Sequence, residues 1–178
     1  RIDVRTKGID VLLEAWRRLR AHERWRDAWL LMVGSGRDSA WLHQQGIATD
    51  EHHVRWVDEY ILDRSRMRAL MSAADLYAFP SRHEGFPVAL VEAMACGRPV
   101  VAAEAQGVRD IVGGDGRCGV VVPRDDASAL AEALDASLGN ETMRHSQGQA
   151  ARARVLSDFS LEVVGRQLRH FVFGQPGA

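Results

Sequence analysis

The chain has 178 residues, 46% of them hydrophobic, and a formal net charge of -1; such a length and apolar content suit one α/β domain with a good core better than two. Acids and bases are intermixed, so no basic stripe marks a nucleic-acid partner and no acidic tail marks a solvated arm. The expected partner is a small molecule or another domain. No run of about 18 apolar residues is present to span a membrane, and Arg1-Ile2-Asp3 does not open a signal peptide.

Cys96 and Cys118 have no Cys or His neighbour at metal-ligand spacing, which speaks against zinc and against a disulfide-stapled secreted fold. A reducing compartment, the cytoplasm, is the reading that remains. Lys7 is the only lysine among 23 basic residues.

In chain order, residues 1 to 6 read as loop, followed by a helix from about Ile9 to Arg20 with Ile9, Leu12, Leu13, Trp16 and Leu19 on one stripe. An α/β domain ordinarily opens with a strand, so a first strand is expected to be missing upstream. Five short apolar runs follow: 29–33, 54–57, 76–79, 99–102 and 119–122. Helical periods separate them. One begins near Ser65 and carries Met67, Leu70 and Met71; another carries Leu130, Leu134 and Leu138 behind Asp125 or Asp126 as cap. Strand-helix alternation of this kind predicts a Rossmann-like parallel sheet with helices on both faces. Residues 141–178 read as a C-terminal helical segment of the same domain, with Leu161, Val164, Leu168 and Phe171 on a stripe behind Ser160.

The chemistry concentrates after the third run. Residues 80–99 read Pro-Ser-Arg-His-Glu-Gly-Phe-Pro-Val-Ala-Leu-Val-Glu-Ala-Met-Ala-Cys-Gly-Arg-Pro. Gly85 permits a tight approach and Pro87 fixes a first helical turn. Ligands of open α/β sheets bind at such strand ends. The helix from Pro87 to Cys96 is apolar nearly all round, which predicts burial, yet Glu92 lies in its middle. That carboxylate must meet a base, protonate or face a polar cleft. Glu84 lies eight residues earlier, and the amides of Val88, Ala89 and Leu90 at the helix start would welcome a phosphate. The series acceptor, anion site, acceptor suits a nucleoside diphosphate sugar. The plainer reading is an ion-paired Glu92 and a surface Glu84.

The stretch from Glu84 to Ala102 resembles the Glu-seven-residues-Glu signature of the group 1 family of retaining GT-B glycosyltransferases. The surroundings are similar to that family as well, in Ser72-Ala-Ala-Asp-Leu-Tyr-Ala-Phe-Pro-Ser, Gly107-Val-Arg-Asp-Ile-Val and Gly119-Val-Val-Val-Pro-Arg-Asp-Asp. The resemblance covers residues 1 to about 140. It implies the C-terminal, donor-binding half of a two-domain hexosyltransferase that needs no metal and no cofactor. Arg1 and Lys7-Gly8 match the family's basic pair for the diphosphate, and Glu84 joins them as the catalytic set. Glu92 would hold the ribose, with Gly85, Phe86, Val88, Ala89 and Leu90 along the donor. The base would lie near Tyr60, where Asp58 stands in place of a glycine frequent in relatives.

The acceptor-binding half should precede Arg1 and be absent here, so the chain would bind donor without transferring sugar. Any attachment to the inner face of the membrane is left to that half. A nucleotide-sugar epimerase or hydrolase of the same architecture, and a non-catalytic nucleotide-sugar-binding module, remain as alternatives. Gly34-Ser35-Gly36 invites a dinucleotide reading, but Ser39 stands where the third glycine should be. His83 is as well suited to shaping the loop as to touching the donor. No Asp-x-Asp occurs, and His52-His53 lack ligand spacing.

Overall fold

A computed structural model describes residues 2–174, with five short parallel strands interleaved with helices. The apolar runs become β1 (Leu30–Val33), β2 (Val54–Val57), β3 (Tyr77–Phe79), β4 (Val100–Ala103) and β5 (Gly119–Val122). Around them lie α1 (Val4–Lys7), α2 (Ile9–Arg20), α3 (Ser39–Gln44), α4 (Arg64–Ala73), α5 (Val88–Ala95), α6 (Val108–Val112), α7 (Ala127–Leu138), α8 (Glu141–Arg154) and α9 (Leu161–Phe173).

Two apolar layers enclose β3, β4 and β5, and β1 and β2 contribute to the first of them alone. On one face Leu12, Trp16 and Leu19 of α2 and Leu130 and Leu134 of α7 meet Met32, Val54, Val101 and Val122. On the other, Leu90 and Met94 of α5, Val108 and Ile111 of α6 and Ala151 of α8 meet Phe79, Val100 and Ala102. Along β4, successive side chains therefore enter opposite layers, and every residue of that strand is buried. A strand covered on both sides requires apolar residues without alternation, which is how the 99–102 run reads.

The single sheet expected from the sequence is instead two. β1 pairs only with β2, in parallel register Leu30 to Val54, and β3-β4-β5 form a separate parallel sheet. The amides of Leu30 and Gly34 donate toward the β2 side, to His53 and Val57. Backbone groups alternate along a strand, so Leu31 and Val33 turn theirs to the opposite, unpaired edge. On β3 the Tyr77 amide donates to Pro99 beside β4, which leaves Ala78 facing away from it. Among the described residues no strand joins these two edges. At the end of the β1 edge, the Ile2 amide already donates to Ser35 O at 3.0 Å.

The opening stretch also departs from the loop expected for it. From Val4 it is one helical turn, capped by the Asp3 carboxylate accepting the Thr6 amide at 2.9 Å and closed by Gly8 at φ 63°. Gly8 is required there twice over, because a Cβ would also stand 2.1 Å from the Pro80 carbonyl oxygen. Asp126, rather than Asp125, caps α7 by accepting the Ala129 amide. The stripe on α9 is capped by Ser160 as expected, and Leu161, Leu168 and Phe171 on it are exposed. No described helix is long and apolar enough to cross a membrane. Both cysteines are free.

If the outer edges of β1 and β3 are open, hydrogen exchange should separate neighbouring amides within one strand: Leu31, Val33 and Ala78 fast, Leu30, Met32 and Tyr77 slow. Equal protection along β1 would show that its outer edge is already paired.

Candidate functional site at the ends of the first and third strands

The loop after β3 and the turn before α2 meet at the carboxyl ends of the strands. Thr6 O accepts the amides of Arg82 at 2.9 Å and His83 at 3.3 Å, and Gly8 lies against Pro80. Chain segments 77 residues apart are thereby brought together, and Lys7 Nζ donates to Glu84 Oε1 at 2.7 Å. The Glu84 side chain is 8% exposed and that of Lys7 30%. The carboxylate is thus enclosed against its cation, while the ammonium retains a solvent-facing side. Lys7 and Glu84, which the resemblance puts in one set, are in direct contact.

Glu84 leads into α5. Phe86 and Val88 are exposed, and a Cβ at Gly85 would meet nothing within 4 Å. The tight approach expected at Gly85 is absent, and open space lies there instead. Pro87 occupies the capping position rather than the first turn. The anion site is narrower than expected, because the Val88 amide donates to Phe86 O and the Leu90 amide to Pro87 O. Of the three amides assigned to phosphate, Ala89 alone has no backbone acceptor among the described residues.

The helix is not buried all round either. Leu90, Ala93 and Met94 face the core, whereas Glu92 is exposed and forms no ion pair among the described residues. Glu92 meets no base among the described residues and faces away from the core. Burial, then the charges of Glu92 and Glu84, push the Tyr77 phenol up to about 12.

Other assigned residues lie apart or outside. Arg1 lies outside the described residues. Tyr60 is 72% exposed on a loop after β2, with no hydrogen bond to the site among the described residues. Asp58 is not a free acceptor: Ser39 donates to one oxygen at 3.0 Å, and His43 Nε2 lies 2.7 Å from the other. The bond with His43 first, and Ser35 and Ser39 after it, hold the Asp58 carboxyl below its usual range. Trp56 packs against the core, stacks on His43 and donates to Gly34 O. The Gly34-Ser35-Gly36 turn receives Ile2, since a Cβ on Gly36 would stand 1.9 Å from its carbonyl oxygen. His83 is exposed.

Sequence reasoning passed over Arg82. Its guanidinium is shared between Asp10, Asp125 and the carbonyls of Val4 and Arg5. Together with Arg5, Thr6, Asp10, Arg37 and His83 it lines an open groove of about 530 Å³. The available signal was the doubled acid Asp125-Asp126, of which one residue suffices as cap.

The Lys7–Glu84 pair should carry a measurable coupling. A double-mutant cycle with Lys7→Ala and Glu84→Gln, followed by denaturant unfolding, should return about 1 kcal/mol, discounted for the part-exposed lysine. Additive single effects would mean that the two side chains are independent in solution.

Residues 1–140 match the family model described as "Glycosyl transferases group 1". Among curated relatives, a phosphatidyl-myo-inositol mannosyltransferase of Mycobacterium leprae is 36% identical over 169 residues, covering 94% of this chain and 43% of that protein. A GDP-mannose-dependent monoacylated alpha-(1-6)-phosphatidylinositol monomannoside mannosyltransferase of Corynebacterium glutamicum is 33% identical over 178 residues, covering 96% of this chain and 45% of that protein. The chain thus spans less than half the length of either. A sucrose-phosphate synthase from Thermosynechococcus elongatus superposes with a TM-score of 0.77 at 29% identity, over 94% of this chain and 42% of that one. With the Glu84-to-Glu92 segment, the strand order and these likenesses in agreement, the chain belongs to the group 1 glycosyltransferases.

Proposed function

We propose that this domain binds a nucleoside diphosphate sugar and, joined to an acceptor-binding half, passes the sugar to an acceptor hydroxyl with its anomeric configuration retained. One observation carries the reading: a buried carboxylate, Glu84, is held by a half-exposed ammonium, Lys7, at the head of a helix whose other carboxylate, Glu92, faces outward. Lys7 exchanges Glu84 for the diphosphate, and the Ala89 amide supports the same anion. As the glycosidic bond to phosphate breaks, charge grows on the leaving diphosphate, and a fixed ammonium is worth most at that moment. Released from Lys7, Glu84 accepts hydrogen bonds from the sugar hydroxyls and orients the ring. Glu92 accepts from the ribose diol. Neither acid serves as nucleophile, and Lys7 with Arg1 supplies the positive charge that a metal would otherwise bring.

A hexose donor fits the mannosyltransferase names of the two relatives, one of which is named as GDP-mannose-dependent. Their greater length is the support for a separate acceptor half, which would also set acceptor choice and any peripheral attachment to a membrane.

Glu92→Ala should weaken binding of the donor by about 1.5 to 3 kcal/mol in calorimetry, the range for a hydrogen bond to a charged group. Unchanged affinity would remove Glu92 from the site. A thermal-shift panel of uridine, guanosine and adenosine diphosphate sugars should raise the melting temperature with one base above the others. No shift with any of the three would overturn the donor-binding reading.

A further inference from the structure

Lys7 sits at the end of a four-residue helix, and a single turn of that length does not hold its own shape in water. Something else must fix the ammonium within reach of Glu84. The α1 turn has backbone carbonyls pointing toward its C-terminal end, and one residue satisfies most of them. Arg82 Nη1 donates to Arg5 O at 3.0 Å and Val4 O at 3.3 Å, while the Arg82 backbone amide donates to Thr6 O at 2.9 Å. A guanidinium at a helix C-terminus is also favoured by the local dipole.

Arg82 is held in its turn. Asp10 of α2 accepts from Nη1 and Nη2, both at 2.8 Å, and Asp125 accepts from Nε. The bonds with Arg82 keep the Asp10 carboxyl below its usual range. Asp125 adopts φ 61°, a left-handed conformation that a non-glycine residue takes at a cost, and its carboxylate reaches the guanidinium from there. The Arg82 carbonyl accepts from Arg124 at 3.4 Å. Three separate segments, the α1 turn, the start of α2 and the loop after β5, thus converge on one side chain two residues from Glu84. A lysine has the charge but not the planar fork that this set of acceptors requires.

We infer that Arg82 is a positioning residue: its guanidinium bonds to Asp10, Asp125 and the carbonyls of α1 and not to Lys7, and it fixes the α1 turn so that Lys7 Nζ stands where the diphosphate must lie. This rests on the donor-binding reading above, but the geometry of Lys7 can be tested without any nucleotide. Because Lys7 is the only lysine, reductive methylation with a ¹³C reagent labels that side chain and the terminal amine alone. The NMR signal of methylated Lys7 then reports whether it still meets Glu84.

In Arg82→Ala the Lys7 signal should move to the position it has in Glu84→Gln, and affinity for guanosine diphosphate should fall about tenfold while affinity for guanosine holds. Arg82→Lys should recover only part of either effect. Asp125→Gly relieves the left-handed strain, so it should keep or raise stability while still shifting the Lys7 signal and weakening the diphosphate. It carries the test if Arg82→Ala does not fold. An unmoved Lys7 signal in Asp125→Gly and Arg82→Lys, or equal losses for guanosine and its diphosphate, overturns the positioning role. A shifted Lys7 signal in a protein whose unmutated form binds no diphosphate leaves Arg82 as the clamp of Lys7 and refutes the donor-binding reading instead.

Discussion

The ion pair between Lys7 and Glu84 ties the first turn of the chain to the loop after β3, and the rest of the site takes its shape from that bond. The Glu84 side chain is enclosed and accepts from Lys7, and Lys7 sits on a turn too short to stand alone. Each therefore depends on the other and on the backbone contacts around them, chiefly Thr6 with Arg82 and His83, and Gly8 with Pro80. An anion arriving at such a pair does not have to create a positive site. It competes with a carboxylate for one already made.

The surrounding architecture explains why this place can stay both rigid and open. α5 buries Leu90, Ala93 and Met94 in the second apolar layer, which anchors the helix, while its first turn and Glu92 remain accessible. α2 does the same on the other face through Leu12, Trp16 and Leu19. The two helices thus present their starts at the same rim of the strands, and the polar groups between them are held by elements with apolar cores of their own. The unpaired edges of β1 and β3 end at this same rim, where Ile2 enters.

Much of this was readable in the residues. Every apolar run became a strand within a residue or so, and β4, buried along its whole length, shows why such a run needs no alternation. The stripe of α2 and the cap of α9 were equally plain. The α1 turn was not, since Val4–Lys7 is too short for a period and is held by Asp3, Gly8 and Arg82 rather than by its own pattern. The exposure of Glu92 was hidden for the opposite reason: α5 is apolar nearly all round, yet only part of its circumference is covered. The pairing of Lys7 with Glu84 depends on contact across 77 residues, which no local spacing encodes. Arg82 looked like one more arginine in a chain with almost no lysine. Its role became visible only when Asp10 and Asp125 were seen to meet on it.

The most direct measurement is a crystal structure of the chain with a bound nucleoside diphosphate sugar. The expected result places a phosphate oxygen within hydrogen-bond distance of Lys7 Nζ and the Ala89 amide, the ribose diol on Glu92, and Glu84 turned to the sugar. A nucleotide bound elsewhere, with Lys7 still on Glu84, would contradict it.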